Sequence, residues 1–122
     1  MFRRIAALFL AATFAAAAFA QEPPAPAPVV VFSQSVPLDP RDPAARRIGQ
    51  LEFRGGIALR STDPRFGGFS GIHVSTDGAA LLAVSDRGAW LRLRLLYDRN
   101  GRLTGAGQAE MGALVGGDGQ PL

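Results

Sequence analysis

The sequence contains no cysteine and no lysine among its 122 residues. Without cysteine, the chain cannot form a disulfide framework, a zinc–thiolate site or a thiol nucleophile. All thirteen basic residues are arginine, which is typical of a GC-rich genome. Arginine is also the residue that binds anions through two parallel hydrogen bonds, so an anion-binding role is the alternative interpretation. Composition by itself does not distinguish these two interpretations.

The sequence also lacks a cluster of positive charge. The formal net charge of +3 includes Arg3 and Arg4 at the N-terminus, whereas the chain from Gln21 onward has eleven arginines and ten acidic residues. These charges are scattered, with Arg46-Arg47 as the one adjacent basic pair, and no longer basic run or stripe is present to neutralise a row of phosphates. We therefore expect no nucleic-acid partner, despite a sequence pI near 11.0.

The first twenty residues have the three parts of a secretory signal peptide. A positively charged start at 1–4 is followed by an apolar stretch at 5–17, and Ala18-Phe19-Ala20 places small residues where signal peptidase reads. We predict cleavage after Ala20, by the general secretory route, and a periplasmic or secreted mature chain. The alternative is an uncleaved anchor, but the apolar stretch is short for a span of about 20 residues. We expect no stable membrane span after cleavage.

Proline dominates the next segment. Residues 21–28 read QEPPAPAP, which favours extended backbone and cannot build a core. Residues 29–32 form an apolar run that is compatible with a short edge strand. Prolines at 37, 40 and 43 then exclude a regular helix or a central strand. We predict a proline-rich linker over residues 21–48.

From residue 49 onward the pattern is that of β-structure. Apolar residues alternate with polar ones, no segment repeats them at 3.6 residues, and Asp-Gly or Asn-Gly turns separate the segments. The predicted strands are 51–59 with a bend at Gly55-Gly56, 69–75, 80–85, 89–97 and 103–109. The 80–85 strand is apolar on both faces, which indicates an internal strand. In the 89–97 strand, one face carries Leu91, Leu93, Leu95 and Tyr97, and the other carries Arg92 and Arg94. The sequence therefore predicts an all-β antiparallel meander.

Two blocks in this region resemble a known family. They read GGFSGIHVSTDG at 67–78 and LAVSDRGAWL at 82–91, and the likeness continues through Tyr97-Asp98 and GRLTG at 101–105. They are similar to the opening of bacterial proteins with a phytase-like domain, described as esterase-like activity of phytase. The resemblance extends from about Gly49 to Leu122.

The resemblance implies a β-propeller-like fold, an exported location and hydrolysis of a phosphate or carboxyl ester, with calcium as a possible cofactor. The strands from residue 49 correspond to about one blade, and family members are longer. We therefore expect 49–122 to be the N-terminal fragment of a phytase-like propeller domain, because one blade does not close a ring. The alternatives to a hydrolase are a non-catalytic propeller module that binds a cell-envelope partner and an inactive gene fragment.

Asp86 and Arg87 are the first candidates for chemistry. They follow an apolar strand and precede Gly88, and strand ends line the mouth of a propeller's channel. Asp86 has the carboxylate that calcium prefers, and Arg87 has a guanidinium able to bind a small anionic ester such as a phosphate. These groups would assist attack of water on the ester. The alternative is an ordinary turn, in which the carboxylate accepts backbone N–H bonds.

His73, the only histidine, is the third candidate, with a hydrogen-bonded structural role as its alternative. The sequence does not support a catalytic pair of Ser70 and His73, because residues three apart on a strand point to opposite faces. Around Ser70 the chain also lacks the G-x-S-x-G pattern. Ser70 is therefore interpreted as a packed strand residue. The remaining candidates are interpreted as structural: turn residues at Asp77, Asp98 and Asp118, and packing residues at Trp90 and Tyr97.

Overall fold

The computed structural model describes residues 22–122, so the predicted signal peptide at 1–20 lies outside the described residues. Within them the chain has no helix, and every strand pair is antiparallel. The all-β prediction is confirmed. The strands of this part of the chain are β1 (Ala27–Pro28), β2 (Phe32–Val36), β3 (Arg47–Ile48), β4 (Leu51–Glu52), β5 (Gly56–Arg60), β6 (Phe69–Val74), β7 (Ala80–Ser85), β8 (Ala89–Tyr97) and β9 (Leu103–Ala113).

The central element is a five-stranded sheet in the order β1-β9-β8-β7-β6. Strands β6 to β9 are neighbours in both sequence and space, which is the predicted meander. Glycines at positive φ permit the tight turns between them, as at Gly78 (φ 73°) and Gly101 (φ 71°). Strands β2 and β5 form one separate pair, and β3 and β4 form another. The assignment of the sheet to a propeller blade remains a prediction.

The core lies on one face of this sheet. Leu91 on β8 is 1% exposed and stands between Ala83 on β7 and Met111 on β9. Alternate residues of a strand point to the same face, so the period-two pattern of 89–97 correctly predicts Leu91, Leu93 and Leu95 as buried. Side chains from other segments pack against this face: Val29, Val31, Ile57, Leu59, Phe66 and Phe69.

The opposite face of the sheet is open. Leu82 and Val84 on β7 and Leu96 on β8 are 41%, 36% and 45% exposed. Strand β7 is internal in the sheet order, as predicted, but only one of its apolar faces is covered by the described residues. Tyr97, which was predicted on the leucine face, is 45% exposed at the end of β8, where the pairing with β9 shifts register. Its hydroxyl donates to the Gly78 carbonyl at 2.7 Å.

Part of the segment predicted as a linker packs on this domain. Strand β1 pairs with β9, and the backbone N–H of Val29 donates to the Ala109 carbonyl at 3.0 Å. The predicted 29–32 edge strand is displaced, because β2 begins at Phe32 and pairs with β5. The chain at these positions is extended, which proline permits at the edge of a sheet. The domain boundary at residue 48 stays a prediction.

The strand predicted at 51–59 and the predicted end of the last strand both differ in detail from the structure. The single strand predicted over 51–59, with a bend at Gly55-Gly56, is instead two strands: β4 ends at Glu52 and pairs with β3, whereas β5 begins at Gly56 and pairs with β2, and Gly55 between them has φ 106°. Strand β9 continues to Ala113, four residues beyond its predicted end, because it pairs with β8 along its length and with β1. Between residues 22 and 122 there is no helix with the length and hydropathy needed to cross a membrane.

Candidate functional site

The two main candidates lie in the turn between β7 and β8, called here the 86–88 turn. The Gly88 N–H donates to the Ser85 carbonyl at 3.1 Å, and Gly88 has φ 78°, a conformation that glycine adopts without strain. The Asp86 N–H donates to the Gly68 carbonyl at 2.9 Å. The backbone therefore holds Asp86 and Arg87 in place, while both side chains are exposed.

Ser85 joins this turn to the loop that precedes β6. It is 4% exposed, and its hydroxyl donates to the Gly67 carbonyl at 2.6 Å and accepts the Arg87 N–H at 3.1 Å. Burial without these partners would cost free energy, so the two segments are tied together. Ser85 is not among the candidate residues that the sequence pattern indicated. The alternation of the strand could have indicated a buried hydroxyl here, because Ser85 continues the inward-facing positions 81 and 83 of β7.

Asp86 is paired with Ser70 rather than with a histidine. The Ser70 hydroxyl donates to Asp86 Oδ1 at 2.6 Å. A register irregularity between Phe69 and Gly71 places Ser70 outside the regular ladder, so its side chain is exposed and reaches the turn. The interpretation of Ser70 as a packed strand residue is therefore wrong. The prediction of a packed side chain was based on a regular alternating strand, and the strand is irregular at Ser70.

The Arg87 side chain lies over two glycines. A Cβ on Gly67 would be 3.5 Å from Arg87 Nη1, and one on Gly68 would be 3.5 Å from Arg87 Nε and 3.3 Å from Ser85 Oγ. Both glycines have positive φ, 135° and 65°. A side chain at either position would adopt a strained backbone and crowd the arginine. Glycine here keeps the guanidinium close to the loop.

His73 lies elsewhere on the sheet. It pairs with Leu82 on the open face, whereas Phe69 pairs with Ser85 at the end of β7. Ser85 is three positions after Leu82 on β7, which corresponds to about 10 Å along the strand. The structure brings Asp86 and Arg87 together but does not bring His73 to them. A catalytic role for His73 stays a prediction that this geometry does not favour.

The described residues do not supply a complete calcium site. Calcium takes six to eight oxygen ligands. Asp86 offers one carboxylate, which already accepts the Ser70 hydroxyl, and residues 22–122 contain no group of three or more acidic or histidine side chains placed to hold a metal. Three other aspartates stabilise turns, as predicted, because their side-chain oxygens accept hydrogen bonds from backbone N–H groups: Asp77, Asp98 and Asp118. The residues present do not fit a resident calcium ion.

A cleft of about 330 Å³ opens beside the 86–88 turn. Arg87 lines it together with Arg65, which was not among the candidate residues predicted from the sequence. The Arg65 Nε and Nη2 donate to the two carboxylate oxygens of Asp63 at 3.0 and 2.7 Å. These hydrogen bonds, with that from the Arg65 backbone N–H, lower the pKa of Asp63 from 3.8 to about 2, and the Asp63 carboxylate raises the pKa of Arg65.

Comparison with known proteins gives one match. The model of the family described as Phytase-like, esterase-like activity of phytase, matches residues 64–122. No curated protein and no solved structure matches the chain. The match begins at residue 64, later than the resemblance near Gly49 predicted, and it includes Arg65 and the 86–88 turn. Residues 64–122 of this chain therefore match the phytase-like family model, and this segment contains both sequence blocks, at 67–78 and 82–91, on which the predicted resemblance rests.

Proposed function

We propose that this chain is an exported hydrolase of small anionic esters, with Arg87 as the residue that binds the anionic group. The observation that carries the proposal is the position of Arg87 within the segment that matches the phytase-like family. Its guanidinium lines the cleft and makes no ion pair within residues 22–122. An arginine in this situation has donors available for a phosphate or carboxylate group.

Asp86 precedes Arg87 in the 86–88 turn and does not itself line the cleft, so it is proposed to assist a water molecule that attacks the bound ester from outside the cleft. One of its oxygens accepts the Ser70 hydroxyl, which orients the carboxylate and leaves the other oxygen for a water molecule. As a general base, Asp86 would take a proton while the water oxygen attacks the ester phosphorus or carbonyl carbon. The bond to the leaving alcohol then breaks, and the proton held by Asp86 passes to the alcohol oxygen, which restores the carboxylate. Arg87 stabilises the negative charge that develops on the ester oxygens.

Replacement of Arg87 or Asp86 tests this proposal. We expect R87Q to lower kcat/KM for a chromogenic phosphate ester by about ten- to a hundredfold, because charge-assisted hydrogen bonds to the substrate are lost. We expect D86N to lower kcat by at least about a hundredfold, since proton transfer contributes that much or more. Initial rates of p-nitrophenol release from the phosphate and the acetate ester would measure both effects.

The matched control is R99Q, which removes an exposed arginine from the turn between β8 and β9. It should leave the rates unchanged. Hydrolysis that survives both D86N and R87Q would remove the proposed site. A purified wild-type chain that binds phosphate but hydrolyses neither ester would support the non-catalytic binding module instead.

Export is proposed from the N-terminal pattern of the sequence. If the chain is processed after Ala20, the mature protein recovered from the periplasm or medium begins at Gln21. We expect A20L to block processing, because signal peptidase reads a small residue there, and F19L to leave processing intact. Intact-mass measurement of the secreted protein gives the cleavage point. Recovery of full-length protein in the membrane fraction would instead indicate an uncleaved anchor.

A further inference from the structure

The cleft beside the 86–88 turn is walled by small residues and two arginines. Its base includes Ala89 and Ala113, which are paired across β8 and β9, and the adjoining Gly112. Arg65 enters from the loop before β6, and Arg87 from the 86–88 turn. No acidic side chain is among the described residues that line this cleft. The long polar side chains at its wall are therefore both cations.

Arg65 is held in position for a ligand. Asp63 engages the Nε and Nη2 atoms of the guanidinium, and the Asp63 backbone N–H is in turn bonded to the Ser61 hydroxyl at 3.1 Å. A guanidinium has five N–H donors, so two bonds to Asp63 leave three donors unused. Fixing the side chain in advance lowers the entropy that binding would otherwise cost.

Arg87 has more free donors. Its side chain makes no hydrogen bond or ion pair with another residue of the 22–122 segment, and its stem rests on the Gly67-Gly68 backbone. The two guanidinium groups thus line one cleft, one oriented by a carboxylate and one unpaired. Asp63 offsets part of the charge of Arg65, but the three unused donors of Arg65 and the five of Arg87 line the same cleft, and a doubly charged oxyanion accepts charge-assisted hydrogen bonds from them more strongly than a singly charged one does.

We propose that Arg65 acts with Arg87 to bind one doubly charged oxyanion, which makes Arg65 the residue that selects phosphate monoesters over phosphate diesters and uncharged carboxylic esters. The inference rests on the proposed function in one respect, namely that Arg87 is the substrate-binding arginine. To that function it adds Arg65 as a second anion-binding residue and a preference for doubly charged ligands. Asp63 takes part by orienting Arg65 and does not contact the ligand.

Equilibrium binding separates this inference from catalysis. Inorganic phosphate and dimethyl phosphate would be titrated into the purified full chain by calorimetry, at low salt and at a pH where inorganic phosphate is mainly dianionic. We expect R65Q to weaken binding of inorganic phosphate by about tenfold or more. Binding of the singly charged diester should change less, so the preference for phosphate should fall. The exposed-site control R99Q should retain both affinities.

A second variant guards against a folding artefact, since R65Q also removes a partner of Asp63. R65K keeps the charge but loses the two-bond geometry, and we expect an affinity between those of wild type and R65Q. The inference is overturned if wild type shows no preference for phosphate over dimethyl phosphate, or if R65Q and R65K both bind phosphate as wild type does. If phosphate binding depends on both arginines but no ester is hydrolysed, the proposed function fails and this inference stands.

Discussion

Replacing Leu91 by alanine is expected to lower the free energy of unfolding by about 2–5 kcal/mol. Leu91 is 1% exposed, at the centre of the sheet, and its cross-strand neighbours Ala83 and Met111 are 2% and 0% exposed. Removing the side chain leaves a cavity between three strands that pair along their length and cannot close on it easily. A loss of this size is a large share of the 5–15 kcal/mol typical of a domain.

Leu96 provides the matched control on the same strand. Its side chain points to the open face and is 45% exposed, so L96A should cost less than about 1 kcal/mol. Urea unfolding followed by the fluorescence of Trp90, the only tryptophan, would measure both variants. Equal losses for L91A and L96A would contradict the placement of the core on a single face of the sheet.

Alanine in place of Gly55 is expected to cost about 2–6 kcal/mol, from two causes. Gly55 has φ 106°, where a residue with a side chain is strained by about 1–3 kcal/mol. A Cβ at this position would also collide with the Leu103 carbonyl oxygen and lie 2.8 Å from the Leu103 nitrogen. Backbone atoms cannot rotate away, so the start of β9 would have to shift, at a further cost of about 1–3 kcal/mol.

Gly49 separates these two causes. Its φ is also positive, at 57°, but a Cβ there meets nothing within 4 Å. The G49A variant should therefore show only the conformational cost, about 1–2 kcal/mol. Urea midpoints of G55A, G49A and wild type give the comparison. If G49A and G55A were equally destabilised, Gly55 would not lie against Leu103 in the folded chain.

The candidate site shows where sequence reasoning reached its limit. Asp86 and Arg87 were found from their position after an apolar strand and before glycine, and both do lie in a backbone-held turn. Ser70 was misread because its bulge breaks the period of two on which the inference depended. Arg65 was missed because Arg87, with which it lines the cleft, is distant in sequence. Ser85 was missed although its inward-facing position on β7 follows from the alternation of the strand, because its hydrogen-bond partner belongs to another segment. The Ser85 hydroxyl is bonded to Gly67, eighteen positions away.

The order of the central strands and their shared buried face follow from the sequence alone. Alternation at 80–85 and 89–97 and glycine-containing turns are local properties, and antiparallel neighbours joined by short turns need no long-range information. The extent of β9, the docking of β1 and β2, and the uncovered face of β7 were decided by tertiary structure. Those features depend on which segments meet in space, and the same is true of the cleft that Arg65 and Arg87 line together. Hydrophobic periodicity describes the faces of one strand and does not specify which distant segments pack against them.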